Sequence, residues 1–111
     1  MQQKILAGTL GTLILKILSN HGQMYGYQII AHIKEQTSGE LLVTEGAVYP
    51  AIHRLESAGY LETERRMISG RTRKYYRLTD RGKKASESES RSLLRILESI
   101  QGLLNTNLRE T

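Results

Sequence analysis

The chain has 111 residues, 24% of them charged, no cysteine, and a formal net charge of +5. That length bounds it to one small body whose modest core would gain from a partner subunit. The lack of cysteine excludes a disulfide framework and a thiolate metal site, and the positive balance points weakly to a polyanionic partner.

The opening run, "MQQKILAGTLGTLILKIL", carries Lys4 where a signal peptide would have its charged flank. Lys16 interrupts the apolar stretch, no A-x-A-like cleavage site follows, and the run is too short to span a bilayer. It reads as a core helix of a soluble, cytoplasmic protein with no membrane partner. Leu6, Leu10, Leu13, Ile14, Ile17 and Leu18 share one helix face, which ends at "SNHG". "MYGYQIIAHIKEQT" repeats the pattern through Gly26, Ile29, Ile30 and Ile33, so a second helix is predicted over about 25–36, its glycine suggesting a close helix approach. "ELLV" follows as a short apolar connector or a single strand.

Thr44 then offers a side-chain oxygen to the free N–H groups of a third helix, and Glu45 suits the positive end of its dipole. The predicted core face is Val48, Ala51, Ile52 and Leu55. The opposite face carries Glu45, Tyr49, His53 and Ser57, with Pro50 and Arg54 on its flank. Proline inside a helix forfeits a hydrogen bond to the carbonyl four residues earlier and crowds it. That residue is Gly46, so the pair predicts a slightly opened first turn with Tyr49 pointing outwards, or else a packing adjustment of a core helix.

"LETERRMI" and "RTRKYYRL", joined by "SG", read as a hairpin with one apolar and one charged face. Arg71 lies beside its tip and Arg73, Lys74 and Arg77 lie on its return strand. From Arg65 to Lys84 there are nine basic residues and one acid, leaving the rest of the chain at a net −3. Charge concentrated in this way fits a phosphate-binding surface or a solvated charged hairpin. Thr79 is predicted to cap a fourth helix, with Asp80 in its first turn. That helix carries Leu93, Ile96, Ile100 and Leu103 at alternating spacings of three and four, flanked by Leu94, Leu97, Leu104 and Leu108. A stripe of this width at the end of a small domain predicts cover by a twofold-related copy, or else a helix that folds back on its own core.

Helix, helix, capped helix and basic hairpin is the order of a winged helix-turn-helix, mainly α with some β, in which the third helix enters the major groove. "YGYQI", "TEGAVYPAIHRLESAGYLE" and "GRTRKYYRLTDRGK" closely resemble the PadR family of bacterial transcription regulators, over nearly the whole chain. The single C-terminal helix resembles the family's smaller subgroup. The resemblance implies a winged-helix DNA-binding domain over 1–80 and a dimerisation helix over 81–111. It implies a homodimer that binds a near-palindromic double-stranded DNA operator and usually represses. A recognition helix over about 44–58 and a wing over about 61–78 would make the contacts. Carried over by motif, Thr44, Tyr49 and Pro50 match the family's DNA-facing turn, and Arg73 and Lys74 its wing contacts. His53, Arg54, Arg71 and Arg77 extend those surfaces. Leu93, Ile96, Leu97, Ile100, Leu103 and Leu104 would form the dimer seam. Some small members hold flat aromatic drugs against a tryptophan of the last helix. This chain has no Trp or Phe and no Tyr after Tyr76, so that site does not carry over and a small-molecule effector stays unspecified.

Catalysis finds little support. His32 with Glu35, and His53 with Glu56, are spaced to share a metal, but a site needs three or four converging ligands. No phosphate loop, Ser/His/Asp arrangement or nucleophilic cysteine is visible, so neither an enzyme nor a cofactor or metal is expected. The rival reading is a dimeric winged-helix module whose basic wing binds an acidic protein.

Overall fold

A computed structural model of the chain describes residues 2–110, and the side chains of residues 8–106. The side chains of Lys4, Leu6 and Leu108 in the patterns above therefore lie outside the described residues. The elements run α1 (Gln2–His21), β1 (Gln23–Tyr25), α2 (Gly26–Gln36), α3 (Glu45–Ser57), β2 (Leu61–Ile68), β3 (Arg71–Leu78) and α4 (Asp80–Glu110).

The helix periodicities place the core. Leu10, Ile14 and Leu18 of α1, Ile29 and Ile33 of α2, and Val48, Ala51 and Ile52 of α3 are buried together, and Leu61, Tyr76 and Leu78 close the cluster from the sheet. Leu55, also expected on the core face, is partly buried at its edge. α3 stops in a Schellman arrangement. Gly59 takes φ +83, its N–H donates to the Glu56 carbonyl at 2.9 Å, and the Tyr60 N–H reaches the Leu55 carbonyl at 2.9 Å.

β2 and β3 pair antiparallel through a two-residue turn, Ser69 at φ 50 and Gly70 at φ 79. Two positive φ values give the type I′ geometry that matches strand twist. In this register Leu61 faces Leu78 and Thr63 faces Tyr76 on the core side. Beyond them the ribbon leaves the body, and every residue from Glu62 to Lys74 is exposed.

The sheet has a third strand in the order β1-β3-β2, and it is not at "ELLV". Residues 40–43 form no strand; Val43 is buried and Leu42 is exposed in an irregular connector. The free edge of β3 is taken by Gln23–Tyr25, with Met24 opposite Tyr76 on the core side. A three-residue strand has no periodicity of its own, and it exists because β3 offers it an edge.

Thr79 caps α4 as its position predicts. Its hydroxyl accepts the Gly82 N–H at 3.1 Å and donates to the Gly59 carbonyl at 2.7 Å, tying the start of α4 to the end of α3. Gly82 and Ser86 are buried, so the opening turns of α4 belong to the body, packed along α1. From Leu94 onward α4 is exposed as far as Thr106. At 1.5 Å per residue its 31 residues span about 46 Å, which accounts for most of the 60 Å long axis.

Candidate nucleic-acid interface

The first turn of α3 projects from the body, with Thr44, Glu45, Gly46 and Ala47 all exposed. Thr44 is the cap residue in extended conformation, but its side chain makes no cap hydrogen bond, against the sequence expectation. Its carbonyl instead accepts from the Ala47 and Val48 N–H groups at 3.1 and 3.0 Å. A side-chain atom added at Gly46 would meet only the Thr44 hydroxyl oxygen, at 3.7 Å. Packing inside this chain therefore does not require the glycine. Pro50 lies inside the helix, exposed, and leaves the Gly46 carbonyl without its helical N–H partner. His53 and Arg54 are exposed further along the same helix.

Tyr49 departs from its expected orientation. It is half-buried and packs against the core rather than pointing freely outwards. Its ring occupies the space that a side chain at Gly26 would need, which is the close approach that the α2 glycine suggests. Helical spacing alone puts Tyr49 on the polar face; the clearing made by Gly26 on a different helix draws it in. Burial, and then the nearby Glu45 charge, raise its phenol above the ordinary tyrosine range. The nearby Glu45 carboxylate raises the Tyr27 phenol in the same direction.

Tyr49 still reaches a surface that matters. An open cleft of about 410 Å³ runs between α2, α3 and the hairpin, lined by Tyr25, Gly26, Tyr27, Tyr49, Arg71, Thr72, Arg73, Lys74 and Tyr76. Four residues singled out in the sequence, Tyr49, Arg71, Arg73 and Lys74, thus share one concavity.

Strand alternation divides the basic cluster between two faces of the ribbon. Lys74 lies on the core-side face with Tyr76, while Arg66, Arg73 and Arg77 lie on the outer face with Tyr25 and Tyr75. The outer-face cations are largely engaged within the chain. Arg77 pairs with Glu62 at 3.0 Å, and Arg66 pairs with Glu64 at 3.1 Å while standing 4.6 Å over the Tyr75 ring. Arg73 stacks 4.2 Å over Tyr25, which meets Tyr75 edge-to-face at 5.5 Å. The Glu64 carboxylate, accepting from Gln23 and then from Arg66, is held below its ordinary range. The net charge of the strands hides these pairings because register creates them. Arg77 is paired with Glu62 at the base of the wing; Lys74 and Arg71 join no ion pair among the described residues.

On α4, Leu93 is half-buried against the body, while Ile96, Leu97, Ile100, Leu103 and Leu104 are exposed, Leu103 at 74%. Large apolar side chains rarely form so continuous an exposed run on an isolated subunit. His32 meets His21 of α1, the two Nε2 atoms 3.3 Å apart, and no group of three metal-binding side chains occurs among the described residues.

Core and cleft separate in stability. Ile52→Ala empties a fully buried position and is expected to cost about 2–5 kcal/mol in urea unfolding. Tyr49→Ala removes a half-buried ring and should cost about 1–2 kcal/mol, whereas Tyr49→Phe should leave the midpoint unchanged.

The model of the PadR-like transcriptional regulator family matches residues 14–88, from the core of α1 through the wing to the opening turns of α4. The chain belongs to that family. A transcriptional regulator of Mycobacterium tuberculosis is 38% identical over 60 residues, 54% of this chain and 56% of that relative, so the chain spans little more than half of its length. Among solved structures, a transcriptional regulator from Clostridium thermocellum superposes with a TM-score of 0.80 at 28% identity, over 89% of this chain and 96% of that one. The PadR of Bacillus subtilis, solved in complex with operator DNA, gives 0.65 at 26% identity over 71% of this chain and 45% of that one. The winged-helix fold and the family resemblance of the motifs are thereby established, and the family is one of regulators rather than enzymes. No helix among the described residues of this PadR-family chain is long and apolar enough to cross a membrane.

Proposed function

We propose that this PadR-family chain is a homodimeric repressor of a near-palindromic operator. The exposed first turn of α3 enters the major groove and the wing lies on the adjoining backbone. The observation that carries this reading is the cleft that joins Tyr49 to Arg71, Arg73 and Lys74 beside that turn. A groove of this kind, cationic on one wall and aromatic on the other, suits a sugar–phosphate strand. Thr44, Pro50, His53 and Arg54 complete the helix side of the contact, and Arg77 supports the wing. The Bacillus relative's complex with operator DNA supports the reading by analogy. The dimer follows from the bare stripe through Ile96, Leu97, Ile100, Leu103 and Leu104, which a twofold copy would cover. Occupying the operator as such a dimer would repress by excluding polymerase.

A fluorescence-anisotropy titration with duplex DNA at several salt concentrations tests the reading. Phosphate contacts release counterions, so affinity should fall steeply with salt, and Lys74→Ala should shallow the log–log slope by about one unit per subunit. A dimer with no salt-dependent DNA affinity would instead favour a wing that docks on an acidic protein.

Gly46→Ala gives a second, opposed signature. Nothing in the chain blocks the added methyl, and alanine favours helix by about 0.5–1 kcal/mol, so thermal stability should rise slightly. Operator affinity should fall, because the methyl stands on the face that approaches the groove.

A further inference from the structure

Two of the chain's three histidines, His21 and His32, meet between α1 and α2. Their Nε2 atoms stand 3.3 Å apart and their ring centres 4.5 Å apart, so the two rings converge on those nitrogens. Two nitrogens bound at about 2.0–2.1 Å to one tetrahedral zinc ion stand about 3.3–3.4 Å apart. The pair therefore already has the separation that a zinc ion imposes, and imidazole is a ligand that zinc takes readily.

Both rings are placed by the fold. His21 is the last residue of α1, and Gly22, at φ +83, closes that helix end by donating its N–H to the Leu18 carbonyl at 2.8 Å. The carbonyl end of a helix carries partial negative charge, which favours a cation beside it. His32 is half-buried on α2 and lines an open concavity of about 240 Å³ with Asn20, Ile33 and Gln36. Lys16, on the same lining, is exposed, so solvent screens its charge. None of these residues lines the cleft proposed to meet DNA.

We propose that His21 and His32 bind one zinc ion through their Nε2 atoms, with water at the remaining positions, and that the ion ties α2 to the end of α1. Without zinc the pair shares one hydrogen bond, in which one Nε2 carries the proton. Zinc requires that proton to move to Nδ1 of the same ring, leaving both Nε2 lone pairs for the metal. Two protein ligands make an exchangeable site, unlike a structural zinc with four. α2 packs on α3 and α1 on α4, so the ion braces the neighbour of the proposed recognition helix against the neighbour of the proposed dimer helix.

The test is isothermal titration of tag-free protein with zinc chloride, beside His21→Gln, His32→Gln and, as a control, His53→Gln, the remaining histidine. Wild type should take up one ion per chain. Each of the first two substitutions should weaken binding about tenfold or more, since losing a group that merely orients a ligand already costs about 10–100-fold. His53→Gln should bind as wild type does. In protein labelled with ¹⁵N-histidine, zinc should shift the Nε2 resonances of His21 and His32 together, a readout that needs no variant. Zinc should also raise the thermal midpoint of wild type and leave that of the His21→Gln, His32→Gln double variant unchanged. No uptake by wild type, uptake that both substitutions leave intact, or a shift of only one Nε2 would overturn the proposal and leave the pair a hydrogen bond.

Discussion

Gly82→Ala is expected to destabilise the protein by about 3 kcal/mol or more, lowering the thermal midpoint by roughly 10 °C or more. A Cβ at this position would run into the Tyr60 carbonyl oxygen and come within 3.0 Å of its carbonyl carbon and 3.3 Å of the Leu78 Cβ. The obstacle is backbone and cannot rotate away. The Tyr60 carbonyl also accepts the Thr79 N–H at 3.0 Å, and Thr79 holds both Gly59 and Gly82, so relief at one bond strains the others. Gly102→Ala is the matching control, in the same helix with open space around it, and should gain up to about 1 kcal/mol of helix propensity. Circular-dichroism melting of the two variants gives the comparison.

The second large effect concerns the proposed dimer. Ile100→Glu combined with Leu103→Glu places four carboxylates in one twofold seam, where unpaired burial costs several kcal/mol each. Light scattering should show the mass halved. Because joining two half-sites multiplies affinity by about 10²–10⁴, operator binding should fall by at least that lower factor while weak, salt-dependent binding to any duplex persists. An unchanged dimer mass would move the interface elsewhere on the chain.

The features that the sequence discloses are those with local causes. The helices announce themselves by the spacing of Leu10, Ile14, Leu18, Ile29, Ile33, Val48 and Ile52, all of them buried. The Ser69–Gly70 turn and the Thr79 cap depend on neighbours only a few residues away, and both form. What escapes is what distant segments do to one another. Gln23–Tyr25 becomes a strand only because β3 lies alongside, while "ELLV", with better strand composition, pairs with no strand. Tyr49 turns inward because Gly26, on another helix, leaves it room. The basic residues of the wing look equivalent in a charge count, yet register gives Arg77 to Glu62 and Arg73 to Tyr25, and leaves Lys74 on the core-side face of the ribbon. The motif glycines make the same point: Gly82 is required by a carbonyl over twenty residues earlier in the chain, whereas no internal contact explains Gly46.

Hydroxyl-radical footprinting of the wild-type protein on a selected duplex shows whether α3 and the wing meet DNA together. Two protected segments are expected on one face of the DNA, centred about 10 base pairs or a multiple of that apart, each flanked by a backbone patch that Lys74→Ala uncovers. Uniform cleavage along the duplex at low salt, or protection that Lys74→Ala and Gly46→Ala both leave intact, would contradict that joint contact.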